Sequence, residues 1–331
     1  MLSDSTTTRT ATATMRAAVI AGPGQSELEH RTIPEPGSGE VRVRLEGCGV
    51  CGSSLPLWEG RLWFQYPAEP GSPGHEGWGV VDAVGPEVTG IQVGDRVAAL
   101  SYRAYAEYDI AAANAVVPLP ENLAGRFFPG EPLGCAVNIF RRSDIQAGQT
   151  VVIIGIGFLG ALLTRLATRA GARVIAISRR PFALELALEL GADIAMPLDD
   201  HNKIVGQVQK LTGGEGAERV IEAVGSQWPL DLATDLTRIR GRLVIAGYHQ
   251  DGPRQVNMQL WNWRGLDVIN AHERDPDVYV QGIRGAVDAV SSGILNPAPL
   301  YTHTFPLDRL DQAFEIMRHR PDGFLKALVL T

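Results

Sequence analysis

The chain of 331 residues has only three cysteines, Cys48, Cys51 and Cys135. So few thiols make no disulfide framework and point to a reducing compartment, with the cytoplasm as the expected location. No apolar run approaches the roughly 20 residues that a bilayer crossing requires. Positive charge is also scarce, 30 Lys and Arg against 37 Asp and Glu, for a formal net charge of −7. That balance counts against a nucleic-acid or membrane partner and leaves a small molecule as the expected one. The first fourteen residues, MLSDSTTTRTATAT, lack the apolar core of a secretory signal. They read as a disordered leader or as residues ahead of a true start at Met15, with a transit peptide as the third choice.

What the chain does have is an ordinary apolar fraction of 45% and length enough for two domains. Its central stretch is Val151–Gly160, VVIIGIGFLG. Four apolar residues run into Gly155, Gly157 and Gly160 at GxGxxG spacing, and an apolar helical pattern follows from Ala161. The first glycine permits a tight turn, and the second lets backbone approach a pyrophosphate. The third lets helix and strand pack closely, while free N–H groups of the turn, at Phe158 and Leu159 among others, face the phosphates. A plain packing turn is the competing reading. The second strand, Arg173–Ser178, arrives on schedule and favours a dinucleotide site.

Upstream, from Met15, short β segments punctuated by Gly and Pro read as a partly closed antiparallel barrel. Downstream, from about Gln149, strands alternate with segments of helical length (Ala183–Leu190 and Leu230–Ile239 among them). Six such strands imply a doubly wound parallel sheet. Helical patterns recur at Tyr279–Ser291 and Arg309–Arg318. The expected division is a barrel domain over 15–141, a nucleotide domain over 142–270, and a tail, 271–331, that rejoins the barrel.

Three polar clusters lie outside the nucleotide stretch: Cys51 in GVCGSS, His75 and Glu76 in SPGHEGWG, and Glu131 in GEPLGCA with Cys135 after it. Thiolate, imidazole and carboxylate are the mixed donors of an open catalytic zinc site. Each alone also has a plainer reading, as core cysteine, hydrogen-bonded loop histidine or helix-capping glutamate.

GVCGSS, GHEGWGVVDAVGPEV, VGDRV, EPLGCAVN and a GxGxxG domain occur here in one order. Together they resemble the zinc-type branch of the medium-chain dehydrogenase/reductase superfamily, the alcohol and polyol dehydrogenases. The resemblance covers nearly the whole chain from Met15. It implies an α/β protein with a GroES-like antiparallel β-barrel catalytic domain and a Rossmann doubly wound parallel sheet, the active site lying between. It implies Cys51 and His75 as zinc ligands, Glu76 as an alternative or exchanging carboxylate, and Glu131 at the third position. Cys135 would then lie near the nicotinamide, with a ligand role as its alternative. Ser53 matches the hydroxyl that takes the first proton, though a turn-forming serine would look the same. Hydride transfer between NAD(P) and a secondary alcohol or ketone follows from the resemblance, with a polyol, sugar or cyclitol as the leading guess. Two departures stand out. Ser54 replaces the usual Asp that orients the zinc histidine, and Pro56 replaces a relay histidine. No four-cysteine lobe separates GDRVAAL from SYRAYAEY, so one catalytic zinc and no structural zinc is expected. The resemblance also implies a homodimer or homotetramer, with Leu266–Ala271 as the pairing edge.

An NAD site places a carboxylate about 20 residues past the glycines. Here Ser178 stands there, followed by Arg179 and Arg180, which favours NADP(H) over NAD(H). Two arginines solvating a helix start are the alternative. Val224, Gly225, Gly247 and Tyr248 close the next strands and are expected to meet the nicotinamide and its ribose. His249, Gln250 and Asp251 offer polar groups for a hydroxyl-rich substrate. Two other functions compete: a zinc-free quinone or enoyl reductase of the same fold, and a non-catalytic NADPH-binding protein.

Overall fold

The computed structural model describes residues 13–331. Nearly all of the leader stretch lies outside these residues, and Thr14 already opens the first strand, Thr14–Gly22. All six expected parallel strands are present. Their spatial order is Ile194–Pro197, Arg173–Ser178, Thr150–Ile154, Ala217–Glu222, Thr237–Ile245, Asp267–Asn270. The order reverses between Thr150–Ile154 and Ala217–Glu222, and the crevice beyond their carboxyl ends is where such sheets take ligands.

Helices cover both faces of this sheet, so Val151 to Ile154 are all buried and read as an unbroken apolar run. Alternate residues still serve opposite cores. Val151 and Ile153 pack with Leu162 and Ile283 on one side, while Val152 and Ile154 pack with Ile204 and Leu230 on the other. The helices differ from expectation at their ends. One ends at Leu236 instead of Ile239, because Thr237 and Ile239 already belong to the strand Thr237–Ile245, which suits β-branched side chains. Another begins at Pro276 instead of Tyr279, where the Asp275 side chain caps it by accepting from Asp277 N.

The second sheet is mainly antiparallel, in the order Tyr301–Pro306, Lys326–Leu330, Glu40–Gly49, Gly77–Val84, Arg96–Ala99, Val116–Pro118, with Tyr108–Ala112 also pairing to Glu40–Gly49. Val41, Val43 and Leu45 alternate inward, as one covered face requires. The hairpin strand Gln25–Thr32 has no apolar alternation to announce it; it pairs with Thr14–Gly22 and is largely exposed.

Two features of the tail place the site. Lys326–Leu330 pairs with Glu40–Gly49, with Leu328 opposite Gly49. The helix Leu310–His319 stacks Phe314 on Trp58 at 5.6 Å, and Asp311 accepts a hydrogen bond from Trp58 Nε1 at 2.8 Å. Trp58 is therefore core, and the loop that carries Cys51 rests on a firm base.

Candidate active site

Cys51 follows the strand Glu40–Gly49 at a turn that continues into the short helix Leu55–Trp58. His75 and Glu76 immediately precede the neighbouring strand, Gly77–Val84. Strand pairing thus brings both loops to one end of the sheet. The donor atoms of Cys51, His75 and Glu76 lie within 4.8 Å of one another, a spacing that one ion can bridge. Gly49 makes room for this: a Cβ there would stand 1.8 Å from Glu76 Oε2.

His75 Nδ1 bonds the Pro73 carbonyl at 2.8 Å. A carbonyl only accepts, so Nδ1 carries a proton, and Nε2 is the nitrogen that would face an ion, which would displace any proton there. The orienting role missing at Ser54 is thereby filled by backbone, and Ser54 Oγ is itself buried. Ser53 Oγ donates to Cys51 Sγ at 3.2 Å. Glu131 sits in the first turn of the helix Gly130–Ser143, buried, and accepts from Cys135 Sγ at 3.1 Å. It neighbours the cluster without belonging to it.

The surroundings of His75 are rich in acids. Burial opposes a charged imidazole, but the hydrogen bond with Cys51 and the charges of Cys51, Glu131 and Glu76 outweigh it and raise the pKa to about 10. Burial raises the pKa of Glu131 against the pull of His75, and raises that of Cys135 with help from Glu131. Lys326 is the one lysine here: its Nζ lies 2.6 Å from Glu76, both side chains buried. A dication fits such a donor set, because it meets the remaining shortage of positive charge.

The glycine turn behaves as its spacing implies. Gly155 has φ +96°, and a Cβ on it would meet Val224 Cγ2 at 2.6 Å. A Cβ on Gly160 would lie 2.0 Å from Gly155 O, so helix and strand touch there. Gly157 has nothing within 4 Å of its Cβ position, an open face onto the crevice where a pyrophosphate can approach. Phe158 opens the helix Phe158–Arg169, and Lys326 Nζ stands 5.3 Å from the centre of its ring. One lysine thus contacts both Glu76 and the dinucleotide helix. Leu159 is half-buried behind it.

At the end of the second strand Ser178 is buried and Arg179 exposed. Arg180 differs from Arg179: its guanidinium donates to Ile156 O at 3.2 Å and to Phe324 O, tying the glycine turn to the tail. No such tie is seen for the Arg179 guanidinium among the described residues.

Three residues, Glu222, Arg254 and Lys326, carried little signal in the chain. Glu222, fully buried, accepts at Oε1 from Val224 N at 2.7 Å and Gly225 N at 2.8 Å. Its Oε2 bonds His249 Nε2 at 3.0 Å, and Arg254 Nε donates to His249 Nδ1 at 2.9 Å. Both ring nitrogens of His249 are therefore engaged, and Asp251 pairs with Arg254. His249 is thus engaged within the loop, whereas Asp251 stays exposed while paired to Arg254. Gly247 stands against Gly225, where a Cβ would be 2.2 Å from Gly225 N, and Tyr248 packs edge-on to His272 at 5.4 Å. The signal for Glu222 and Lys326 was an acid or base interrupting an apolar strand, RVIEAV and LKALVL.

A dinucleotide-type sheet facing a thiol–imidazole–carboxylate cluster defines an oxidoreductase, and comparison with known proteins gives its kind. Residues 37–121 match the alcohol dehydrogenase GroES-like domain and residues 159–286 the zinc-binding dehydrogenase family. Sorbitol dehydrogenase of Ovis aries is 29% identical over 338 residues, covering 90% of this chain and 91% of the relative. A short chain alcohol dehydrogenase of Escherichia coli CFT073, solved with NADH, superposes at TM-score 0.85 and 25% identity over 96% of this chain and 100% of its own. A zinc-binding dehydrogenase of Sinorhizobium meliloti 1021, bound to NADP, gives 0.81 and 26% over 96% and 100%. The class is that of alcohol dehydrogenases and ketone reductases, acting on CH–OH groups. The chain belongs to the medium-chain dehydrogenase/reductase superfamily, in its zinc-type alcohol and polyol dehydrogenase branch.

The glycines give a paired prediction. Gly160→Ala forces a Cβ into Gly155 O and is expected to lower the melting temperature clearly. Gly157→Ala has room, and is expected to keep the melting temperature while weakening dinucleotide binding at least tenfold by fluorescence titration. Unchanged affinity in Gly157→Ala would detach the turn from the cofactor.

Proposed function

We propose that this polyol-dehydrogenase-like enzyme uses zinc and NADP(H) to interconvert a secondary alcohol and its ketone, on a polyol, sugar or cyclitol-like substrate. The observation that carries the reading is the Cys51–His75–Glu76 cluster, linked through Lys326 to the first residue of the dinucleotide helix. Zinc held by Cys51, His75 and either Glu76 or Glu131 supplies Lewis-acid polarisation of the C–O bond, and the nicotinamide supplies the hydride chemistry.

The chain's own residues do the rest. Pro73 O holds the His75 ring in the tautomer an ion requires. Lys326 neutralises Glu76 within the buried cluster, while the hydrogen-bond partner of Glu131 among the described residues is the weak Cys135 thiol, leaving its carboxylate available to a cation. Ser53, already beside Cys51, is placed to take the alcohol proton. Pro56 cannot titrate, so that proton leaves through water or the cofactor ribose. Ser178 removes the acid that would repel a 2′-phosphate, and exposed Arg179 supplies the cation to grip it. Val224, Gly225, Gly247 and Tyr248 line the nicotinamide side, with Glu222 fixing the first two. A second reading, a zinc-free quinone or enoyl reductase, draws on one observation: Lys326 already compensates Glu76. A pairing of two subunits through the sheet edge Asp267–Asn270 also fits, with Trp263 exposed beside it.

Elemental analysis of protein purified without added zinc is expected to give about one zinc per subunit, the number of an open mononuclear site. No zinc, before or after reconstitution, would shift the reading to the zinc-free reductase. In the wild type NADPH is expected to bind more tightly than NADH. Arg179→Ala is expected to weaken NADPH at least tenfold and leave NADH nearly unchanged, the size of one charge-assisted phosphate contact; equal effects on both would sink the arginine argument. Light scattering is expected to give a dimer or tetramer mass, and a monomer at working concentration removes the edge pairing.

A further inference from the structure

Gln250 follows Tyr248 and His249 on the loop after Thr237–Ile245, and neither the metal nor the dinucleotide reading uses it. Its Nε2 donates to Gly52 O at 3.3 Å. Gly52 lies between Cys51 and Ser53, so this bond joins the parallel-sheet side of the cleft to the loop that carries the metal donor. It also orients the carboxamide, since the opposite flip would set oxygen against oxygen. The other arm, Oε1, is buried and has no hydrogen-bond partner among the described residues.

A buried amide oxygen without a donor is unfavourable, and folded proteins rarely leave one. The loop cannot easily relax to supply a donor. Glu222, His249 and Arg254 form a connected network beneath it, Arg254 Nη2 also donates to Gly225 O at 3.0 Å, and Asp251 is paired to Arg254. The polar neighbours are satisfied, and Gln250 Oε1 stays buried without a donor beside the Gly52 loop.

We propose that Gln250 Oε1 accepts a hydrogen bond from a neutral donor that enters this cleft, making Gln250 a specificity-determining residue. The donor chemistry is an O–H of a polyhydroxylated substrate or the amide N–H of the nicotinamide carboxamide. Resting on the dehydrogenase reading, this deepens it: a second substrate hydroxyl, beyond the one that reacts, would be read by an uncharged acceptor.

The test uses the zinc-loaded enzyme, wild type and Gln250→Met. Met keeps the length and removes both the acceptor and the Nε2 donor to Gly52 O, so the readout is the contrast between ligands that do and do not offer the donor. Three constants are compared: the Kd for NADPH, the Kd for its 3-acetylpyridine analogue, which lacks the amide N–H, and KM for sorbitol and other polyols against simple secondary alcohols. Loss of one buried hydrogen bond is expected to appear as a change of about tenfold. If a substrate hydroxyl is the donor, Gln250→Met raises KM for the polyols but not for the simple alcohols, and both Kd values hold. If the carboxamide is the donor, the NADPH Kd rises and that of the analogue does not. A wild type active on alcohols, with every constant unchanged in Gln250→Met, overturns the inference alone. A zinc-loaded wild type that turns over no alcohol or ketone breaks the dehydrogenase reading instead, and the two Kd values still decide the carboxamide arm.

Discussion

Glu76 and Lys326 are 250 residues apart in the chain and 2.6 Å apart in the fold, both buried. Neither charge is tolerable alone at that depth, because an uncompensated buried ion loses its hydration with nothing in return. The tail strand Lys326–Leu330 must therefore return to Glu40–Gly49, and its return draws in the helix Leu310–His319, which braces Trp58 below the Cys51 loop. The same lysine touches the ring of Phe158 at the start of the dinucleotide helix. One ion pair thus sets the first sheet, the tail and the dinucleotide crevice relative to one another.

The opposite wall of the crevice depends on a second buried acid. Glu222 ends a central strand of the parallel sheet, where backbone N–H groups run out of ladder partners, and its Oε1 accepts from both Val224 N and Gly225 N. Its other oxygen reaches His249 and, through it, Arg254. Glu222, His249 and Arg254 tie this stretch of the loop to the strand end through linked hydrogen bonds. Gln250 stands out against this background because its oxygen is the exception.

Much of this was legible in the chain. Periodicity located all six parallel strands, since a strand buried on both faces leaves a short apolar run bounded by turn residues. The glycine spacing carried its own physics, and the three positions differ in open space and close contact as their roles require. The candidate donors were visible as residue types. Their convergence followed only from the family resemblance and not from the residues themselves, because it depends on Cys51 and His75 ending up at the same edge of two paired strands. Arg180 looked equivalent to Arg179, and only the fold shows its guanidinium engaged by Ile156 and Phe324. His249 looked available, and only the fold shows both of its nitrogens in use.

By itself the sequence determined the local grammar: which segments are strands, where the dinucleotide turn lies, which side chains have donor chemistry, and which family the ordered motifs resemble. These follow from short-range patterns of apolarity and backbone freedom, which act within a few residues. The tertiary structure alone decided which donors meet, that Pro73 O orients His75 where Ser54 does not, that Lys326 neutralises Glu76, and that Gln250 spans the cleft. Those are contacts between segments far apart in the chain, set by strand register and by the need of each buried polar atom for a partner.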